Sequence, residues 1–158
     1  MRKLLAPAAA FLMITSCGGT PEHRTPEQVA AYPAVATPVA AATVKVASSS
    51  IGKILVDGKG MTLYLFEKDK NGKSDCYDAC AKAWPPYLTK GEPKAEQGAK
   101  ADLLKTVSRT DGGTQVVYGQ WPLYYYHDDK KPGDVTGQDK EAFGAEWYAL
   151  NPQGEKAH

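Results

Sequence analysis

Histidine and cysteine are scarce. The chain has three of each, His23, His127 and His158, and Cys17, Cys76 and Cys80. Metal sites built from clustered His and Cys ligands therefore have little to work with, and no metal or cofactor is expected. Covalent haem by the usual motif is excluded, because three residues separate Cys76 from Cys80 and Ala81 follows where His would be needed. Charge of one sign is also missing. Nineteen basic residues face 18 acidic ones, so there is no field to hold nucleic acid. No apolar run reaches the roughly 20 residues that span a bilayer. Nucleophile elbow, zinc-protease helix and phosphate-binding glycine loop are all absent, and no catalytic residue is assigned. The expectation is a protein that is not an enzyme.

What is present begins with a processing signal. Arg2 and Lys3 precede an apolar run from Leu4 to Ile14, the length of a secretory core segment. It ends in Ile14-Thr15-Ser16-Cys17, which resembles a bacterial lipobox. That resemblance implies a signal peptide over 1–16, cleavage before Cys17, and a lipidated (palmitate-bearing) Cys17 as membrane anchor. Two or more acyl chains anchor stably where one holds only marginally. Gly18 follows, not the Asp that often retains lipoproteins at the inner membrane. The expected address is the cell envelope outside the cytoplasm, on the periplasmic side of the outer membrane in a two-membrane cell.

Residues 17–50 read as a tether. Pro21, Pro26, Pro33 and Pro38 are spaced through Ala, Thr, Val and Ser, a composition that cannot bury enough surface to offset its ordering entropy. At roughly 3 Å per residue it reaches at most about 100 Å. Val44-Lys45-Val46 is a possible first strand within it.

Residues 51–152 carry an internal duplication. Leu63-Tyr64-Leu65-Phe66-Glu67-Lys68-Asp69 recurs as Leu123-Tyr124-Tyr125-Tyr126-His127-Asp128-Asp129, and Trp84 recurs as Trp147. Two landmarks in the same order define repeats at about 51–90 and 104–152. Hairpin signals dominate both: Ile51–Val56, an Asp57-Gly58 turn and Met61–Phe66; then Leu103–Thr110, Asp111-Gly112-Gly113, Thr114–Tyr118, Gly119-Gln120 and Trp121–His127. A short helix is expected near Cys76–Trp84, capped by Ser74 or Asp75 and ended by Pro85-Pro86. Gln138–Phe143 reads as one helical turn, Trp147–Leu150 as a closing strand, and 153–158 as a frayed tail. The fold class is mainly β, a β-rich α+β domain. Each pseudo-repeat is a hairpin, a short helix or loop, and a strand. Each is too small for its own core, so the two share one.

In order, Gly52–Asp57, Thr62–Phe66, Cys76-x-x-x-Cys80, Trp84-Pro85-Pro86, Arg109–Gly112, Pro122–Tyr126, Pro132-Gly133-Asp134 and Phe143-Gly144-x-x-Trp147-Tyr148 resemble a family of bacterial secreted-repeat lipoproteins with a Tyr-x-aromatic-x-x-Asp motif. The resemblance implies a secreted or lipid-anchored protein and supplies no established activity.

Cys76 and Cys80 lie outside the cytoplasm on this reading, an even pair in an oxidising compartment. At i, i+4 they suit a structural disulfide; a redox-active pair and a metal thiolate site are the alternatives. Tyr64, Phe66, Trp121, Tyr124 and Tyr126 are either core or the lining of a groove that stacks on a glycan, a peptide or a planar ligand. The second copy, denser in aromatics, is the better groove candidate. Electron hopping through Tyr and Trp is a third possibility. Asp69 and Asp129 end the motifs where an Asp accepts loop N–H groups; with Trp84 and Trp147 they are structural candidates. Two functions follow: a non-enzymatic envelope module binding an unknown envelope protein, glycan or small ligand through an aromatic surface, or an accessory of envelope redox or electron transfer.

Overall fold

A computed structural model describes residues 41–158. The signal peptide, Cys17 and the tether as far as residue 40 lie outside the described residues. From Thr43 onward the chain is mainly β. Its strands are β1 (Thr43–Ser49), β2 (Gly52–Asp57), β3 (Tyr64–Phe66), β4 (Lys94–Ala95), β5 (Leu104–Ser108), β6 (Thr114–Tyr118), β7 (Trp121–Pro122), β8 (Lys140–Ala142) and β9 (Ala145–Ala149), with a short α-helix, α1 (Ala79–Ala83), and a 3-10 turn at Ala101–Leu103. They form three small sheets ordered β2-β1-β4, β3-β9-β8 and β5-β6-β7.

The folded part starts upstream of Ile51. β1 pairs antiparallel with β2 from Val44↔Asp57 to Ser49↔Gly52. Val44 is fully buried, so two valines alternating with polar residues suffice for a strand once a partner covers one face. The Asp57-Gly58 turn is held by Asp57 itself, whose Oδ1 accepts the N–H groups of Lys59 and Met61 at 2.8 and 2.9 Å.

Three local expectations are corrected. Neither Ser74 nor Asp75 caps α1: Asp78 occupies the N-cap without a side-chain bond, because both candidates are engaged elsewhere. Gln138–Phe143 is not helical. Phe143 and Gly144 take positive φ of 60° and 89°, the left-handed geometry of a two-residue hairpin turn, and they join β8 to β9. The tail is not frayed. The N–H of Ala157 donates to Ala149 O at 2.8 Å, and Ala157 is buried.

The repeats are interlocked. The N–H of Leu63 donates to Leu55 O, that of Leu55 to Leu150 O, and that of Leu150 back to Leu63 O. In the other half, Leu123 donates to Val116 O, Val116 to Tyr87 O, and Tyr87 to Leu123 O. Each closed triangle joins the hairpin and motif strand of one repeat to the last segment of the other. Leu55, Leu63, Leu150, Val116 and Leu123 have no exposed surface. Backbone groups buried this deeply must find partners within the protein, and here two of the three bonds in each triangle cross from one repeat to the other.

Candidate functional site: a reciprocal tyrosine–aspartate latch and an aromatic column

The two motif tyrosines meet at the axis between the repeats. Tyr64 N–H donates to Tyr124 O at 2.8 Å and Tyr124 N–H to Tyr64 O at 3.0 Å. Period-two alternation then sends both side chains to the same side of their strands. Each phenol crosses to the other copy: Tyr64 Oη donates to Asp129 Oδ2 at 2.6 Å, and Tyr124 Oη to Asp69 Oδ2 at 2.7 Å. Tyr and Asp of one motif are thus not partners of each other. The four residues form a reciprocal latch, and all are buried.

The carboxylates are otherwise tied to their own loops. Asp69 Oδ1 accepts the Asp75 N–H at 2.7 Å. Asp129 Oδ1 accepts both the N–H and the hydroxyl of Thr136, at 2.9 and 2.6 Å. The halves therefore differ in how well the carboxylate is satisfied. Burial pushes the Asp69 carboxyl up to about 6 against the opposing pull of the Asp75 N–H and Tyr124. Burial, reinforced by the facing carboxylates, pushes both motif phenols far above their ordinary range. Both tyrosines remain neutral donors at any physiological pH.

Four rings form a continuous column through the same core. Phe66 stacks on Trp147 with centroids 4.0 Å apart, Trp147 on Trp84 at 4.0 Å, and Trp84 against Tyr126 at 4.2 Å. Interplanar angles along it are 9°, 4° and 32°. Tyr64 packs edge-on to Trp84 and Tyr124 edge-on to Trp147, at 5.4 and 5.2 Å. Ring pairs of these two geometries add to area burial alone. The column also obeys the exchange: the third motif residue of each repeat, Phe66 or Tyr126, lies on the tryptophan of the other.

Gly137 makes this packing possible. A Cβ there would lie 2.8 Å from Trp84 Cη2 and 3.0 Å from Tyr64 Cε1. Nothing in the local sequence singles out that glycine.

Arg109 was also missed as a functional group, although its segment belongs to the family pattern. Its guanidinium is fully buried. It donates to Asp111 through Nε and Nη2, to Ser74 Oγ and Gln115 Oε1 through Nη1 at 2.7 and 2.8 Å, and to Cys76 O through Nη2 at 2.9 Å. It also covers the Tyr77 ring at 4.3 Å. Ser74 Oγ in turn contacts Tyr124 Oη at 2.7 Å. Arg109 therefore joins the β5–β6 turn, the Cys76 loop and the latch. A buried arginine beside several acceptors signals such a node only once the acceptors are known. Cys76 and Cys80 form a disulfide with Cα atoms 5.2 Å apart. Both are buried in the core cluster that holds the column.

The aromatic candidates occupy different places. Tyr64, Phe66 and Tyr124 have no exposed surface and pack as core, not as the lining of a groove. Tyr126 keeps an 8% exposed edge. Trp121 is half-buried in the second core cluster, apart from the column. Beside β1, the buried Tyr87, the half-buried Tyr125 and Leu88 line a depression of about 430 Å³ with Asp57 and Lys59. Leu88, 45% exposed, stands on its rim and also borders a second depression of about 420 Å³ with Thr89, Lys90 and Gly113. Tyr87 and Tyr125 pack edge to face at 5.3 Å. Their hydroxyls are fixed, Tyr125 to Asp57 Oδ2 at 2.9 Å and Tyr87 to Thr43 O at 2.8 Å. Among the described residues no group of three or more metal-ligating side chains converges, and no helix is long and apolar enough to cross a membrane.

The interlocked halves coincide with a known sequence family. The model of a secreted repeat of unknown function matches twice, over residues 45–87 and 105–151. The chain belongs to this secreted-repeat family. The two matched segments together cover more than half of it. Their bounds bracket both tyrosines, both aspartates and both tryptophans of the latch and column. No curated protein and no solved structure matches the chain. The secreted-repeat motif thus reads physically as one half of a cross-repeat clasp. Its Tyr reaches the other copy's Asp, and its third residue stacks on the other copy's Trp.

Proposed function

We propose that this secreted-repeat protein is a lipid-anchored, non-enzymatic envelope module. It binds a partner through the surface around Leu88, Tyr87 and Tyr125. One observation carries the reading: a large exposed leucine sits between two depressions, one of them walled by two tyrosines whose hydroxyls are already fixed. Pre-positioned aromatic walls cost little entropy on binding, and an exposed apolar side chain beside a concave polar rim suits a protein or glycan partner. The motif carboxylates and phenols satisfy one another, which fits a structural role for the motif.

The anchor follows from the Ile14–Cys17 segment. Cys17→Ser should abolish fatty-acid labelling and precursor processing; persistent labelling would refute the anchor. Membrane fractionation tests outer-membrane sorting. For binding, a photocrosslinker at position 88 of the full chain should capture a discrete envelope partner, and Leu88→Asp should abolish capture at an unchanged melting temperature. Capture unaffected by that substitution would refute the surface.

A second reading, an accessory of envelope electron transfer, is favoured by the four-ring column. It predicts that a one-electron oxidant generates tryptophan or tyrosine radicals in the folded protein. A protein that yields none under such an oxidant would refute it.

A further inference from the structure

We propose that Tyr126 is a redox-active residue, the surface terminal of the Trp84–Trp147 column, serving a metal-centred, outer-sphere one-electron oxidant. The proposal rests on the electron-transfer reading and specifies its site. Three observations carry it. First, the column is continuous, with ring centroids 4.0 to 4.2 Å apart from Phe66 to Tyr126. Second, access to it is confined to one end. Phe66 and Trp147 have no exposed surface and Trp84 has 1%, whereas Tyr126 has 8%. A bulky oxidant can touch the column only at Tyr126, and Phe66, hard to oxidise, closes the other end. Third, Tyr126 alone among the column's rings carries a phenol with a solvent-exposed proton acceptor. Its Oη donates to Asp128 Oδ2 at 3.0 Å, and the Asp128 side chain is 54% exposed.

The chemistry balances with those groups. The oxidant takes one electron from the Tyr126–Trp84 pair and is reduced by one unit. If the hole resides first on Trp84, Tyr126 returns an electron to it. The Tyr126 O–H bond breaks, its proton passes to the Asp128 carboxylate, and the product is a neutral tyrosyl radical beside a protonated Asp128. The indole N–H of Trp147 is held by Ala142 O at 3.1 Å, a carbonyl that is a poor proton sink. Charge on Trp147 therefore leaves by electron transfer through Trp84 from Tyr126. The buried phenols of Tyr64 and Tyr124 flank the column edge-on, each already bonded to a carboxylate, but without exposed surface.

Flash-quench oxidation of the full chain with tris(bipyridine)ruthenium(III), read by transient absorbance and electron paramagnetic resonance, tests this. The wild type should show a tryptophan radical that decays into a tyrosyl radical. Tyr126→Phe, which keeps the ring, should lose that conversion, leaving a longer-lived tryptophan radical and oxidation products on Trp84 and Trp147. Asp128→Asn should slow the conversion. Tyr148→Phe is the control. Tyr148 is equally exposed at 8% and bonds Glu146 at 2.7 Å, but it lies outside the column; its loss should leave the tryptophan decay unchanged. A tryptophan radical whose decay is the same in Tyr126→Phe as in the wild type overturns the Tyr126 assignment and leaves the electron-transfer reading standing. Absence of any tryptophan or tyrosyl radical overturns both.

Discussion

Trp84 and Trp147, the same residue of two repeats, lie face to face with ring centroids 4.0 Å apart and planes 4° from parallel. Their contact marks the axis about which the halves exchange partners. Each half stripped of the other would lose its Tyr–Asp bond, both rings stacked on its tryptophan and one corner of its backbone triangle together. The domain should therefore unfold as one cooperative unit, and the following outcomes are expected.

Removing a latch hydroxyl should destabilise, and unequally. Tyr64→Phe leaves Asp129 with both Thr136 bonds, while Tyr124→Phe leaves Asp69 with the Asp75 N–H alone. Hydrogen bonds to a charged group are worth about 1.5–3 kcal/mol, so Tyr124→Phe should fall at the upper end and Tyr64→Phe at the lower. Truncating either ring to Ala should cost about 3 kcal/mol or more. Urea unfolding of the four variants measures this; equal costs for the two Phe variants would deny the asymmetry.

Stability should fall as pH rises through the range set by Asp69. Its folded-state value, pushed up to about 6 by burial, exceeds the roughly 3.9 of an unfolded Asp. Between these values the folded state holds the extra proton. The contribution is present in full below about 4 and is lost as pH climbs through about 6, by about 3 kcal/mol at most. Asp111, held low first by its bond to Arg109, contributes in the opposite direction but only below the usual carboxylate range. Unfolding free energies at pH 5 and pH 7, in wild type and Asp69→Asn, check the sign. The slope should flatten in the variant.

Gly137→Ala should cost about 1–3 kcal/mol, the range for overpacking a tight core. The new methyl would meet Trp84 Cη2 at 2.8 Å, and the indole is held by rings on both faces. A lowered melting temperature with altered near-ultraviolet circular dichroism is the expected signature.

Arg109 should matter more than the disulfide next to it. Cys76 and Cys80 are four residues apart, and so short a loop places the bridge at or below the low end of about 2–4 kcal/mol. Arg109→Met strips the charged donor from Cys76 O and Gln115 Oε1 in the interior and should cost about 3 kcal/mol or more. Arg109→Lys should restore little, since a point charge cannot span the same acceptors. Thermal denaturation of these variants beside the Cys76→Ala, Cys80→Ala double variant gives the ranking.

Much of the fold was legible in the residues. Asp57-Gly58, Asp111-Gly112 and Gly119-Gln120 are turn signals whose chemistry is local, and the hairpin β5–β6 follows directly from them. The duplication is visible because Tyr64 and Tyr124, and Trp84 and Trp147, recur in order. Phe143 misled, because a helical turn and a left-handed hairpin turn share the apolar residue and differ in the backbone that Gly144 permits. The α1 cap misled because the Ser74 hydroxyl is claimed by Arg109 and Tyr124, both far off in the chain, and the Asp75 carboxylate by Lys68.

The sequence alone determined that two copies of a Tyr-x-aromatic-x-x-Asp strand, each followed by a tryptophan, would share one β-rich core. Only the tertiary structure decided which copy serves which. A Tyr64–Asp69 pairing and a Tyr64–Asp129 pairing call for the same residues at the same spacing, so the pattern is silent between them. The choice is made by the backbone bonds between Tyr64 and Tyr124 at the axis. They put each phenol within 2.6 to 2.7 Å of the opposite carboxylate, an arrangement that exists only when both halves are folded together.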